Sequence, residues 1–166
     1  MQIKSVIRIL GLLLGLFSFL AIIPPIIVSL IYEDNETWSF FYAFILILVS
    51  GLVLWLPAIN AKTDLKLRDG FIIVVLFWFV LSAFGSLPMI LSESLDISLT
   101  NALFESVSGL TTTGATILYE IDSLPESILF YRQYLQWLGG LGIIVLAVAV
   151  LPVSYTHLTL PTNREV

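Results

Sequence analysis

The 166 residues are 58% hydrophobic and only 11% charged, with a mean hydropathy of +1.04. Several apolar runs reach about 20 residues, the length that a helix needs to cross a bilayer, so the sequence predicts a helical integral membrane protein and excludes an ordinary soluble domain. The sequence has no cysteine, which excludes disulfides, thiolate metal sites and a cysteine nucleophile. The net charge of -5 says less than the positions of Lys and Arg, which set membrane orientation.

The first apolar run covers residues 5–31. It looks like a signal peptide, but it has no small-residue cleavage site and further spans follow it, so we interpret it as a retained signal-anchor helix. Pro24 and Pro25 lie inside the run. Because proline removes a backbone donor and clashes with the preceding turn, we expect the regular helix to end near Ile23.

Basic residues define the orientation of the predicted spans. After the first run, apolar spans cover residues 39–59, 70–91 and 128–151. The basic residues of one side are Lys4, Arg8, Lys62, Lys66 and Arg68, against Arg132 on the other. Because Lys and Arg accumulate in cytoplasmic loops, the N-terminus is predicted to be cytoplasmic. Four spans with this orientation require residues 99–115 to enter and leave the membrane from the outer face.

A polar segment, FESVSGLTTTGAT at residues 104–116, interrupts the apolar sequence. The amphipathic stretch 99–108 is too short to span a bilayer. Non-helical backbone is tolerated at membrane depth only where it is buried in protein or lines a water-filled cavity, so we predict a short pore helix and a pore loop. Taken alone, Thr-Thr-Thr-Gly fits an ordinary polar turn equally well; the short helix and the flanking spans favour the pore loop.

The residue types of this loop suit cation coordination. Backbone carbonyls and Thr hydroxyls replace the hydration oxygens of an ion without placing a full negative charge in its path. Thr111, Thr112 and Thr113 supply such oxygens. Gly114 can adopt a positive φ, which lets successive carbonyls turn inward. The preceding short helix would direct the negative end of its dipole toward the ion.

The loop and the last span together resemble a known family. The loop, and LPESILFYRQYLQWLGGLGIIVLAVAVLP at residues 124–152, strongly resemble the start of the Trk-type potassium uptake proteins, the TrkH branch of the TrkH/KtrB superfamily. The resemblance covers residues 1–152. It implies an all-α integral membrane fold in which residues 1–69 form two leading transmembrane helices and a cytoplasmic loop. Residues 70–152 would then form the first of four helix, pore-loop, helix repeats of a potassium-channel-like transporter.

The same resemblance implies a function and partners. It implies K⁺ uptake, with Na⁺ or H⁺ coupling left open, and it identifies the first of four filter segments as Thr111, Thr112, Thr113, Gly114 and Ala115. Gly114 would be the filter glycine, and the carbonyls of Thr112 and Thr113 would be among the ion ligands. The intact protein would be a homodimer in the inner membrane of a bacterium or archaeon, with a cytosolic nucleotide-binding regulatory ring. With three repeats missing, the isolated chain is not expected to conduct unless several copies of it assemble.

Two charged residues near the loop each allow two interpretations. Glu105, in the predicted pore helix, either attracts cations or hydrogen-bonds the amides of the loop, and we favour the second role. Arg132, early in the last span, either snorkels to the outer interface or pairs with Glu105 or Glu126, and we favour snorkelling.

Clustered glycines mark two helices. Gly139, Gly140 and Gly142 allow close backbone approach along the last span, by the pore helix or by another repeat. Gly11 and Gly15 form a GxxxG pattern in the first helix, which is either a dimerisation face or a spacing that arises by chance.

Residues 153–166 differ in character from the rest of the chain. Val153 to Asn163 resemble the translation of a transposase-end adapter used in sequencing libraries, so we expect a non-native tail. The single histidine, His157, lies there without metal-ligand partners.

Two other function classes compete with transport. A membrane scaffold or anchor would use the threonine loop only as a re-entrant turn. A membrane-embedded enzyme would need paired acids, His clusters or Ser/Lys pairs, which the sequence lacks. We therefore expect no catalytic residue, no cofactor and no nucleic-acid partner, and membrane lipid as the surroundings.

Overall fold

Helices form the regular structure of residues 3–60 and 67–150, the part of the chain that the computed structural model describes. In chain order they are α1 (Ile3–Phe17), α2 (Ile23–Tyr32), α3 (Thr37–Trp55), α4 (Leu67–Gly85), α5 (Leu87–Leu91), α6 (Leu99–Leu110) and α7 (Glu126–Val150). A π-helical turn, Ser18–Ile22, joins α1 to α2, and short 3₁₀ turns lie at Leu56–Ala58 and Ile121–Ser123. The predicted all-α architecture is confirmed: two leading helical spans precede a helix, a short helix, a loop and a last helix.

The first span does not end at its prolines. Helical structure continues through Pro24 and Pro25 to Tyr32, so the prediction that the regular helix ends near Ile23 is wrong. The prolines stand in the first turn of α2, directly after the π-helical turn. Because the amides of the first turn of an α-helix have no α-helical acceptor, the prolines stand where their missing donors cost least.

Three helical stretches in the described residues are long and apolar enough to cross a membrane. They are Ile3–Tyr32, Thr37–Ala58 and Asp69–Leu91. The fourth predicted span, α7, has 25 residues, which is about 37 Å of helix, but it is not among these three. Its role as a span therefore stays a prediction. The basic residues Lys62 and Lys66, used to orient the spans, lie outside the described residues.

The GxxxG pattern of α1 lies in a contact between α1 and α3 of the same chain. A Cβ added to Gly11 would lie 2.7 Å from both the carbonyl oxygen of Gly51 and the backbone nitrogen of Trp55, on α3. Gly51 in turn approaches the backbone of Gly11 and Gly15. Two helices come this close only where neither carries a side chain at the crossing. The pattern therefore joins the two leading spans and is not free to serve as a dimerisation face at Gly11.

Replacing Gly11 with alanine is expected to lower the free energy of unfolding by about 1 kcal/mol or more, because the new methyl group overpacks the α1–α3 crossing by more than the gain in helix propensity. The matched control is Gly15→Ala, whose Cβ would meet nothing within 4 Å. Thermal unfolding in detergent, followed by tryptophan fluorescence, measures both. Equal melting temperatures for the two variants would contradict the close approach.

The hydrophobic core lies where the leading helices meet α7. Buried members from several helices form one cluster, which includes Leu14, Phe40, Ile47, Met89, Leu110, Ile128, Tyr131 and Leu135. The rings of Phe40 and Tyr131 pack edge to face with centroids 5.4 Å apart. The Tyr131 hydroxyl donates a hydrogen bond of 2.7 Å to the carbonyl of Gly85 at the end of α4. These contacts hold α7 against α3 and the end of α4. On another side, α7 packs against the short helix α6.

Candidate functional site: the threonine loop after α6

The loop after α6 has an unusual backbone. Ser98 caps the start of α6, because its hydroxyl accepts a hydrogen bond from the amide of Asn101, and the helix ends at Leu110. Gly114 has φ 72°, as the sequence predicts, and Thr112 has φ 58°. A β-branched residue rarely adopts a positive φ, so Thr112 holds a strained conformation that the surroundings must enforce.

Hydrogen bonds to Ser108 fold the loop back over the end of α6. The carbonyl oxygen of Ser108 accepts hydrogen bonds from the amides of Thr113 at 2.9 Å and Gly114 at 3.4 Å. The Ser108 hydroxyl donates a hydrogen bond of 2.6 Å to the carbonyl of Ala115. Ser108 thus holds the loop through both its backbone carbonyl and its side-chain hydroxyl. The carbonyl of Ala115 is therefore already occupied by a hydrogen bond.

The remaining loop oxygens fall into two groups. The Thr111 hydroxyl lies 2.7 Å from the Val107 carbonyl, to which it donates, and 2.9 Å from the Thr113 hydroxyl. By contrast, the backbone carbonyl oxygens of Thr112, Thr113 and Gly114 accept no hydrogen bond from any donor within residues 3–60 and 67–150. Residues 111–116 are all exposed. The loop therefore presents backbone carbonyls that are available to a ligand.

Glu105 holds the far side of the loop. Its Oε1 accepts hydrogen bonds of 2.7 Å from the amide of Ile117 and from the Thr116 hydroxyl. This is the loop-holding contact that we favoured for Glu105. A carboxylate on α6 thus holds the chain just after the loop, in a segment that has no regular secondary structure of its own.

Arg132 pairs with this carboxylate. Its Nε donates a hydrogen bond of 2.9 Å to Glu105 Oε2, and the two side chains are only 8% and 2% exposed. The prediction that Arg132 snorkels to the interface is therefore wrong. The physical reason is that a buried carboxylate needs a compensating charge, and α7 places Arg132 on the face that contacts α6. The other suggested partner, Glu126, is exposed.

Gly139 brings α7 into backbone contact with α6. A Cβ added there would lie 2.0 Å from the Leu110 carbonyl oxygen. At Gly140 it would meet only a methyl group of Thr112, at 3.8 Å. The close contact between α7 and the end of α6 therefore requires glycine at position 139 but not at position 140.

Comparison with known proteins matches residues 37–156 to the family described as TrkH, cation transport protein. The chain belongs to the TrkH family. Among its relatives, the Trk system potassium uptake protein TrkH of Vibrio parahaemolyticus is 54% identical over 153 residues, which are 92% of this chain and 31% of the relative. The TrkH protein of Escherichia coli strain K12 is 56% identical over 153 residues, 92% of this chain and 32% of the relative. TrkG of the same strain is 41% identical over 151 residues, 91% of this chain and 31% of the relative.

The fold comparison agrees with the TrkH assignment. The crystal structure of the potassium transporter TrkH from Vibrio parahaemolyticus matches with a TM-score of 0.87 at 54% identity, covering 92% of this chain and 32% of that chain. The chain thus spans about a third of the length of these relatives. The family match ends at residue 156 and so enters the segment 153–166. That segment and His157 lie outside the described residues, and their interpretation as a non-native tail stays a prediction.

Within the TrkH family framework, the structure brings most of the predicted site residues together. Thr111, Thr112, Thr113, Gly114 and Ala115 form one exposed loop. Glu105 and Arg132 lie behind it as a buried ion pair. Sequence reasoning missed Ser108, the residue that closes the loop, because a serine in a short amphipathic helix has no distinctive signal.

Proposed function

We propose that this chain supplies the two leading helices and the first pore loop of a protein that takes up K⁺ across the membrane. The family membership and the relatives named as potassium uptake proteins support this function. The single observation that carries it is the exposed loop, which leaves the carbonyls of Thr112 and Thr113 without partners among the described residues. Such carbonyls replace the hydration shell of an alkali ion.

The backbone conformation suits this role. Positive φ at Thr112 and at Gly114 turns the peptide units on either side of Thr113 away from the direction that a continuing helix would give them. The C-terminal end of α6 directs the negative end of its dipole toward the loop, which favours a cation there. We therefore assign ion coordination to the carbonyls of Thr112 and Thr113, followed by that of Gly114. Ala115 has a closing role instead, because its carbonyl already accepts the Ser108 hydroxyl.

A complete filter needs about four such loops around one axis, and this chain contributes one. We propose that the remaining loops belong to the same longer protein, which forms a homodimer and binds a cytosolic nucleotide-binding ring. The membrane potential supplies about 2.3 kcal/mol per charge per 100 mV for inward movement. Coupling to Na⁺ or H⁺ would add to this force.

The proposed orientation follows from the basic residues. With Lys4 and Arg8 on the cytoplasmic side of a bacterial or archaeal inner membrane, α1 and α2 cross outward together and the α2–α3 turn faces outside. Arg132, the one basic residue predicted on the outer side, is paired within the protein and leaves this assignment unchanged.

The test is growth rescue at low K⁺ in a host that lacks its own uptake systems, using the complete gene. We expect rescue by the native gene and none by Gly114→Asp, because a side chain at φ 72° distorts the carbonyls and adds a charge to the ion path. The matched control is Asn101→Asp, which adds the same charge to the exposed first turn of α6, where the helix dipole tolerates it. It should rescue growth fully.

The competing function is a membrane scaffold or anchor in which the loop is only a re-entrant turn. A well-expressed native protein that fails to rescue growth would favour the scaffold. Equal rescue by the native protein and the Gly114→Asp variant would remove the filter assignment while leaving transport intact.

A further inference from the structure

We propose that Asp34, in the turn between α2 and α3, is a positioning residue for the ion-selective loop. This inference rests on the proposed function. It gives the two leading helices a part in ion selection, although they lie outside the helix, pore-loop, helix module. The connection runs from Asp34 through α7 to Glu105 and from there to the loop.

Asp34 ties the leading helices to the start of α7. Its Oδ2 accepts a hydrogen bond of 2.8 Å from the amide of Ser127, 93 residues away in sequence. Its Oδ1 accepts hydrogen bonds from the Ser29 hydroxyl at 2.5 Å and from the Glu36 amide at 3.2 Å. The carboxylate therefore joins the end of α2 and the start of α3 to a third helix that is distant in sequence.

The amide of Ser127 needs this partner. It lies in the first turn of α7, where backbone donors have no intrahelical acceptor. Ser127 is 0% exposed, so water does not reach it, and an unpaired buried amide is costly. The positive end of the α7 dipole adds an attraction for a carboxylate at this position.

The charge state of Asp34 fits such a role. Partial burial raises the pKa of its carboxyl group, but hydrogen-bond donors from Ser127, Ser29 and Glu36 together outweigh burial and hold the pKa below the ordinary value of 3.8. The group is therefore ionised at neutral pH. A neutral amide in its place keeps an acceptor oxygen but loses the attraction to the helix terminus.

A displacement of the first turn of α7 is transmitted along the helix to the residues that hold the loop. Arg132 lies five residues after Ser127 on the same helix, and its Nε binds Glu105, which binds the amide of Ile117. Phe40 of α3 packs on Tyr131, next to Arg132. A shift or rotation at the start of α7 therefore moves the guanidinium that holds Glu105, because a helix moves as a nearly rigid rod over such a short distance.

The proposal predicts an effect on ion selection beyond an effect on folding. In the complete protein, Asp34→Ala is expected to raise the KM for K⁺ uptake and to lower the K⁺/Na⁺ preference, each by about fivefold after correction for protein in the membrane. Asp34→Asn should lie between Asp34→Ala and the native protein. The matched control Asp122→Asn removes an exposed carboxylate from the segment before α7 and should leave both quantities unchanged.

Coupling through Glu105 is tested with a double variant. Glu105→Gln weakens the last link of the connection, so adding Asp34→Ala to it should raise KM by less than Asp34→Ala does in the native background. Independent effects that multiply in the double variant would overturn the proposed route.

A second readout does not depend on transport. The chain contains no cysteine. In a complete protein free of other cysteines, the substitution Thr112→Cys therefore reports on the loop through the rate of its reaction with a small water-soluble thiol reagent. Asp34→Ala should change this rate at least threefold, and Asp122→Asn should not.

An unchanged rate and KM for Asp34→Ala, with only lower protein abundance, would mean that Asp34 serves stability alone. A native protein without K⁺ uptake would instead remove the proposed function, while the cysteine rate would still test the positioning role.

Discussion

Replacing Arg132 with methionine is expected to lower the free energy of unfolding by about 3–5 kcal/mol, which is among the largest effects that a single substitution produces. Methionine fills much of the same space but leaves the Glu105 carboxylate with no cation. Glu105 has a side chain only 2% exposed, so water cannot solvate the unpaired charge where it lies, and the carboxylate is driven to move toward water. Such a movement weakens its hold on the Ile117 amide.

Thermal unfolding of the complete protein in detergent measures this loss. Gln133→Met is the matched control, since Gln133 is the next residue on α7 and is exposed; it should unfold near the native temperature. The double variant Arg132→Met with Glu105→Gln removes both charges and should recover part of the stability, because a neutral amide costs much less to bury unpaired than a carboxylate. A double variant less stable than Arg132→Met would contradict the account of an unpaired charge.

The location of the loop could be predicted from the sequence because its composition conflicts with its surroundings. Thr111 to Gly114 form a polar, glycine-terminated run between apolar segments, and membrane physics leaves few places for such a run. Residue type allowed a positive φ at Gly114, because glycine has no Cβ. The positive φ of Thr112 could not be predicted in this way, because a β-branched residue adopts that conformation only when its neighbours enforce it, and those neighbours are set by tertiary packing.

The pairing of Arg132 could not be predicted because it depends on how α7 is rotated. An arginine near a helix end is equally consistent with an interfacial position and with a buried partner, and periodicity alone does not say which face meets α6. Asp34 gave even less signal. Its partner Ser127 is 93 residues away, and a carboxylate in a polar turn is usually solvated.

The errors in the leading helices have the same origin. Pro24 and Pro25 indicated a helix end because proline breaks an uninterrupted helix, but a π-helical turn before them lets the span continue. For Gly11 and Gly15 we considered only a dimerisation face or a chance spacing, whereas the structure shows a close contact with α3. Whether the partner is α3 of the same chain or a second copy depends on which faces the loops bring together, which single-sequence patterns do not specify.

Replacing Gly139 with alanine tests the contact between α6 and α7 directly. The added Cβ would lie 2.0 Å from the carbonyl oxygen and 2.7 Å from the carbonyl carbon of Leu110. Both are backbone atoms at the end of α6, so no side-chain rotation relieves the clash and one helix has to move. We expect a loss of about 1–3 kcal/mol in the free energy of unfolding, larger than the gain in helix propensity of about 1 kcal/mol.

The same movement should affect transport by the complete protein, because Leu110 is the residue before Thr111 and any shift of α6 displaces the loop. We expect Gly139→Ala to lower K⁺ uptake at least tenfold for equal protein in the membrane, which corresponds to about 1.4 kcal/mol. Gly140→Ala is the control, since it adds the same methyl group one residue further along α7 at an ordinary contact distance of 3.8 Å. Rubidium uptake and thermal unfolding, measured on both variants, separate the two effects. If Gly139→Ala transported and unfolded like Gly140→Ala, the end of α6 could not be in backbone contact with α7. The positions of the loop and of the Glu105–Arg132 pair would then need another explanation.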